Sequence, residues 1–339
     1  MKETKHIILT FDHELFLGSR SGSVDACMIQ PTSLLQEIFD YFGVEKAVFF
    51  LDTTYVSCLK RNFNKQECQK DYDLVKSNIH FLLEKGHYVF PHIHPHWLDA
   101  QFVDRNWVLN NLDKYTFNAC SNEVRSQIWK DSIQVLNDFN VSSYHPIDSY
   151  RAGGWSIQPF KDFKPFFEKY GILNDFTVLP KSYFHSDAQS YDFKSVSNHS
   201  IYQFDNKVTK PVKGGNFYEF PISSKKINSK NLFIEKLFKK YLWKTNNRSI
   251  GDGQAVVSKD YNESASKNKI KSEMISIELM NIINLRDYKR HLDENKFIHF
   301  VSHPKMLSFH NLKVFRKYLS YAIKNYTINF DYNFLKLNY

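Results

Sequence analysis

Short apolar runs alternate along this chain with stretches of helical spacing, and most of the runs end on charged or imidazole side chains. His6-Ile7-Ile8-Leu9-Thr10-Phe11 is such a run, and it stops at Asp12-His13-Glu14. Lys46 to Leu51, Tyr88 to Pro91, Gly171 to Val178, Asn216 to Ile222 and Phe297 to Val301 repeat the pattern. Their β-branched and aromatic content predicts buried strands. Between them, Pro31 to Phe42 carries Leu34, Leu35, Ile38, Phe39 and Phe42 at helical spacing before Gly43, and Asp71 to Lys85 does the same before Gly86. Asn122 to Phe139 and Phe160 to Tyr170 read as further helices, and a short strand is expected just before Ser149. Strand and helix in alternation predict an α/β fold with a parallel sheet and right-handed crossovers. We expect a distorted, incomplete (β/α) barrel of about seven parallel strands with helices outside.

In such a fold, ligand-binding groups gather just past the strand ends. Ionisable side chains directly after a buried strand are costly unless something uses them. That singles out Asp12 and Glu14 after the first run. In Phe90-Pro91-His92-Ile93-His94-Pro95-His96-Trp97, three histidines fall within five residues. His92 and His96 are four apart, which lets two imidazoles converge across one turn, and Pro95 suits the first turn of a helix expected after Trp97. Arg151 follows in Ser149-Tyr150-Arg151-Ala152-Gly153-Gly154-Trp155, Asp175 in the fourth run, and His303 after the last. These groups come from five strands and could surround one pocket. Two imidazoles and a carboxylate make a divalent-metal site, and further carboxylate and imidazole groups supply a base and an acid. The residue pattern thus predicts metal-assisted hydrolysis.

With 339 residues, 42% of them hydrophobic and 24% charged, the chain can bury a large core. We read it as one domain, 1–339, with an irregular or helical insertion at about 180–275. No apolar run reaches the roughly 18 residues of a membrane span, and the N-terminus has no apolar signal core. A cytoplasmic protein with reduced Cys27, Cys58, Cys68 and Cys120 is expected, although Cys58 and Cys68 could bridge. A net charge of +9 favours anionic partners, but no nucleic-acid module is present. Residues 229–244 pattern as a basic amphipathic helix. Packing on the core is the usual role of such a stripe, and contact with an anionic membrane face is the alternative. Lys271 to Asn284, Leu285 to Glu294 and Phe309 to Asn325 are expected to be helical.

In order and spacing, these residues resemble the polysaccharide deacetylases, carbohydrate esterases that remove acyl groups from sugars. The family's T-F-D-D-G is matched by Thr10-Phe11-Asp12-His13-Glu14, and its H-[ST]-x-x-H by His92-Ile93-His94-Pro95-His96. Its arginine motif is matched by Arg151-Ala152-Gly153-Gly154-Trp155, its later aspartate by Asp175, and its late histidine by His303. The resemblance spans roughly residues 5 to 310. It implies Asp12 as general base oriented by Arg151, and His303 as general acid tuned by Asp175. It also implies a divalent metal, zinc above others, on His92 and His96. The family's second aspartate is His13 here. By likeness to deformylases with a D-x-D arrangement, Glu14 would be the third ligand, with His13 as the alternative.

The wording of the histidine and arginine motifs is most similar to a branch associated with capsule and O-antigen synthesis. That implies a cytoplasmic enzyme, or one peripheral at the inner membrane face, acting on an acylated sugar that is nucleotide- or lipid-linked. The expected function is removal of an N-acyl group, acetyl above others. A metal-free amidohydrolase of the same fold and a non-catalytic carbohydrate-binding relative are the alternatives.

Overall fold

Strand β1 (Lys5–His13) is buried along almost its whole length and has parallel neighbours on both sides. The structure, a computed structural model, describes residues 5–18, 20–109, 114–186, 189–196, 200–226, 248–254 and 272–331. Around β1 lie β2 (Val48–Asp52), β3 (Tyr88–Ile93), β4 (Ser149–Ala152), β5 (Asn174–Asp175), β6 (Tyr202–Phe204), β7 (Phe217–Glu219), β8 (Phe297–Ser302) and β9 (Tyr326–Thr327). The sheet runs β6-β7-β5-β4-β3-β2-β1-β8, with β9 pairing to the start of β1. Only the β6–β7 pair is antiparallel. The expected parallel strands are all present, and the curled sheet is the incomplete (β/α) barrel.

Seven α-helices flank the described sheet: α1 (Gln30–Phe42), α2 (Thr53–Arg61), α3 (Gln66–Glu84), α4 (Asn122–Asp138), α5 (Lys164–Tyr170), α6 (Leu285–Glu294) and α7 (Phe309–Ala322). Gly43 ends α1 in the left-handed conformation, at φ 69°. Side chains along each strand alternate between the two faces. On β1, Ile7, Leu9 and Phe11 pack against the helices, in one cluster with Leu35, Phe39, Phe49 and Ile79. Ile8 faces the barrel interior with Phe50, Phe90, Phe176, Phe220 and Phe330. Phe176 and Phe220 stack there with ring centres 4.5 Å apart. The interior is thus filled by aromatic rings, and Arg151 lies on them, 4.2 Å from the Phe50 ring centre.

Three segments differ from expectation. The strand that carries the first histidine runs on to Ile93, and only one 3-10 turn follows, Pro95–Leu98, before a hairpin of Gln101–Val103 with Asn106–Val108. No helix begins after Trp97. Helix α2 was not expected, because Thr53, Thr54 and Val56 are poor helix formers. Asp52 caps it by accepting the Tyr55 N–H (3.0 Å), and its face from Thr53 to Leu59 is buried. Of the helix expected over 271–284, the described residues 272–284 are not one: Ser272–Met274 pairs with Ser224–Lys226. Beyond it, Ile275 accepts a backbone bond from Val301 and Ile277 donates one to the Ser302 hydroxyl. Packing against the exposed edge of β8 outweighs helical spacing there. The amphipathic stretch 229–244 and residues 255–271 of the expected insertion lie outside the described residues. Among the described residues no helix is long and apolar enough to cross a membrane, and all four cysteines are free.

Candidate active site

The alternation that puts Ile8 inside also puts Thr10 and Asp12 inside, and Glu14 follows on the same side just past the strand. His13 points the other way. Its Nε2 lies 2.8 Å from Asn78 Oδ1 on α3 and its ring meets Phe49 edge-on, so the alternative ligand is placed in the helix layer, away from the pocket. Burial holds it neutral, down to about 4.

On β3 the same rule selects His92 and, two residues on, His94. Their Nε2 atoms are 3.0 Å apart, and Glu14 Oε2 lies 2.7 Å from that of His94 and 3.7 Å from that of His92. His92 Nδ1 donates to the Arg151 carbonyl (2.8 Å), which leaves Nε2 as the free lone pair. Burial holds His92 neutral as well, down to about 4. The His94 backbone N–H donates to Thr54 Oγ1 (2.8 Å), whose hydroxyl donates to Asp52. His96, the ligand expected from i,i+4 spacing, is not in this trio. Its ring lies against Trp97 and stacks on Tyr115, and both its nitrogens are buried without a partner. The reason is the extra length of β3: on an extended strand i and i+2 share a face, and i+4 does so only if the strand continues.

Arg151, fully buried, holds Asp12. One Nη donates to Asp12 Oδ1 (2.5 Å), the other to Thr10 Oγ1 (2.6 Å), and Nε donates to the Phe176 carbonyl (3.0 Å). His299 stands 3.0 Å from the second Nη and is kept neutral, at about 3, by burial and by Arg151. Burial alone would raise Asp12, but Arg151 above all, with His303, outweighs it and holds this carboxyl below its ordinary range. Glu14 is held well below its range in the same way, by Lys305 and His94 against burial.

His303 Nε2 is 3.5 Å from Asp12 Oδ2 and 3.8 Å from Glu14 Oε1. Its Nδ1 lies 2.9 Å from Glu278 Oε1. Burial would lower this imidazole, but Glu278, with Asp12 and Glu14, raises it. Asp175, expected to tune His303, is elsewhere. Phe176 faces the interior, so Asp175 faces outward, opposite Glu219 on β7 and bonded by the Thr177 hydroxyl (2.6 Å). Burial and this second acid push Glu219 well up, and burial lifts Asp175 to about 6.

The trio of Glu14, His92 and His94 fits a divalent ion. Bonds of about 2.0–2.1 Å in a tetrahedral site place ligand atoms about 3.3 Å apart, and the observed separations of 2.7, 3.0 and 3.7 Å bracket that value. Glu14 Oε2 is buried with no hydrogen-bond donor aligned on it. The three residues form a buried cluster able to hold a metal, and a carboxylate with two imidazoles suits zinc. Gly153 permits the arrangement: a Cβ there would collide with the Ile93 carbonyl and stand 2.8 Å from His94 Nδ1.

Neither a family model nor a curated protein matches the sequence. Among solved structures, the chain is similar to a presumptive polysaccharide deacetylase from Mycobacterium smegmatis. That likeness covers 99% of this chain and 91% of the other at 12% identity, with a TM-score of 0.50. At such identity the likeness is one of fold. A 4-alpha-glucanotransferase from Thermococcus litoralis matches at 14% identity and a TM-score of 0.47, over 100% of this chain and 41% of that one. A GH57 branching enzyme from Thermococcus kodakaraensis matches at 9% and 0.46, over 98% and 71%. Scores below 0.5 carry no weight for this chain.

Proposed function

We propose that this chain is a divalent-metal-dependent hydrolase that removes an N-acyl group, acetyl above others, from a sugar during surface-polysaccharide assembly. The observation that carries the reading is the meeting, in one strand-end pocket, of a metal-type trio with a separately anchored base and acid. A cation on Glu14, His92 and His94 supplies Lewis-acid polarisation of the scissile carbonyl and acidifies water. Asp12, kept ionised and oriented by Arg151, accepts the proton of the attacking water. His303, whose hold on a proton Glu278 strengthens, donates to the leaving amine. Its side chain is the most open of the group at 18% exposed, as contact with substrate requires. The nucleotide or lipid linkage, the cytoplasmic setting and contact with a membrane face belong to this proposal on the wording of the histidine and arginine motifs.

Acetate release from free and nucleotide-linked N-acetylhexosamines tests the reading. We expect release by the zinc-loaded protein, loss after chelation, and loss in Asp12→Asn. Release that survives complete metal removal would instead favour a metal-free amidohydrolase. Sugar binding without any release would make the chain a carbohydrate-binding relative.

A further inference from the structure

Lys305 touches the trio through Glu14, and the proposed chemistry gives it no part. It is 5% exposed, and it follows His303 by two residues. Three consecutive residues of the loop after β1 turn towards its ammonium. Glu14 Oε1 accepts at 2.9 Å, the Leu15 carbonyl accepts at 2.7 Å, and the Phe16 ring centre lies 5.3 Å away. Gly251 holds the Lys305 backbone in place: its N–H donates to the Lys305 carbonyl (3.2 Å). A Cβ on Gly251 would press on that carbonyl and on the Phe16 ring. The ammonium is thus fixed by the loop after β1, and the Lys305 backbone by Gly251.

The two oxygens of Glu14 are divided by it. Oε1 is taken by Lys305, and Oε2 faces His92 and His94. A carboxylate with both oxygens free can clasp a cation with the pair, which adds a ligand and fills a coordination position. A carboxylate with one oxygen held by an ammonium offers the other alone. Zinc in a hydrolase needs an open position beside three protein ligands.

We propose that Lys305 is a positioning residue that restricts Glu14 to one-oxygen ligation and so keeps a coordination position of the metal open. The proposal rests on the metal reading above. Cobalt(II) reports it without turnover, because its visible absorption weakens as coordination number rises. The test loads wild type, Lys305→Met, Glu14→Gln and the double variant with cobalt. Lys305→Met is expected to lose at least half of the wild-type visible absorptivity while retaining the ion. In the Glu14→Gln background, Lys305→Met is expected to leave both spectrum and cobalt affinity within twofold. Should the methionine variant not fold, Lys305→Gln is read in its place, since it keeps a donor for the Leu15 carbonyl. An unchanged spectrum in the folded variant would overturn the role of Lys305 and leave the metal reading intact. Wild type that takes up no cobalt would overturn both.

Discussion

At the barrel mouth, Asp12 and Glu14 are buried, and each faces a cation, Arg151 and Lys305 respectively. On the outer face of the same sheet, Asp175 and Glu219 are buried just as deeply and face each other. The cost of burial is met in opposite ways. The mouth acids stay charged, because fixed cations outweigh desolvation. The outer pair is relieved by a raised hold on protons, Glu219 well up and Asp175 to about 6, and it is tied into the sheet by the Thr177 hydroxyl and the Val178 N–H. Charged acids with an unshared oxygen are equipped for a metal and a proton acceptor. A pair of acids facing each other and tied to the sheet in this way is a strut. Buried carboxylates alone therefore do not mark a site; the signs of their neighbours do.

The largest test of this contrast is Arg151→Met. It strips Asp12 of its cation and leaves Thr10, His299 and the Phe176 carbonyl without their donor. We expect a loss of about 3–5 kcal/mol in urea denaturation. If the loss is no larger than that of Glu219→Gln, the two clusters do not differ as described.

The pH dependence of stability separates them by sign. Asp175 and Glu219 are raised, Asp175 to about 6. Their unfolded counterparts release protons near pH 4, so their contribution is intact below that pH and is lost as pH rises above it, for Asp175 through about 6. Asp12 and Glu14 are lowered, so theirs is present above about pH 4 and is lost as pH falls. Glu219→Gln should therefore gain stability relative to wild type as pH rises above about 4. Parallel curves for the two proteins would show that the outer pair is ionised like the mouth acids.

A smaller effect sharpens the mouth alone. Gly153→Ala should cost about 1–2 kcal/mol by overpacking and weaken metal retention by pushing on His94. Full retention measured by equilibrium dialysis would mean that the turn yields instead.

Much of the fold was legible because burial on both faces leaves continuous apolar runs, and each run seen in the sequence became a strand. Asp12, Glu14, His92, Arg151 and His303 share one pocket because they lie at or just past the ends of parallel strands. The choice between His94 and His96 was not legible. It depends on where β3 stops, and Pro91 and Pro95 hide that point. Asp175 misled for the same reason, since one step along a strand exchanges pocket for outer face. Glu278, Thr10 and His299 had no local signal. Glu278 sits in a stretch whose helical spacing is overridden by the edge of β8, and Lys305 reads in sequence as one surface lysine among many.

The central claim is that Glu14, His92 and His94 converge on one ion. Elemental analysis of zinc-loaded, desalted protein measures it directly in wild type, His94→Ala and His96→Ala. The account predicts about one zinc per chain in wild type and His96→Ala, as a three-ligand catalytic site requires, and loss of zinc in His94→Ala. Zinc kept by His94→Ala and lost from His96→Ala would contradict it.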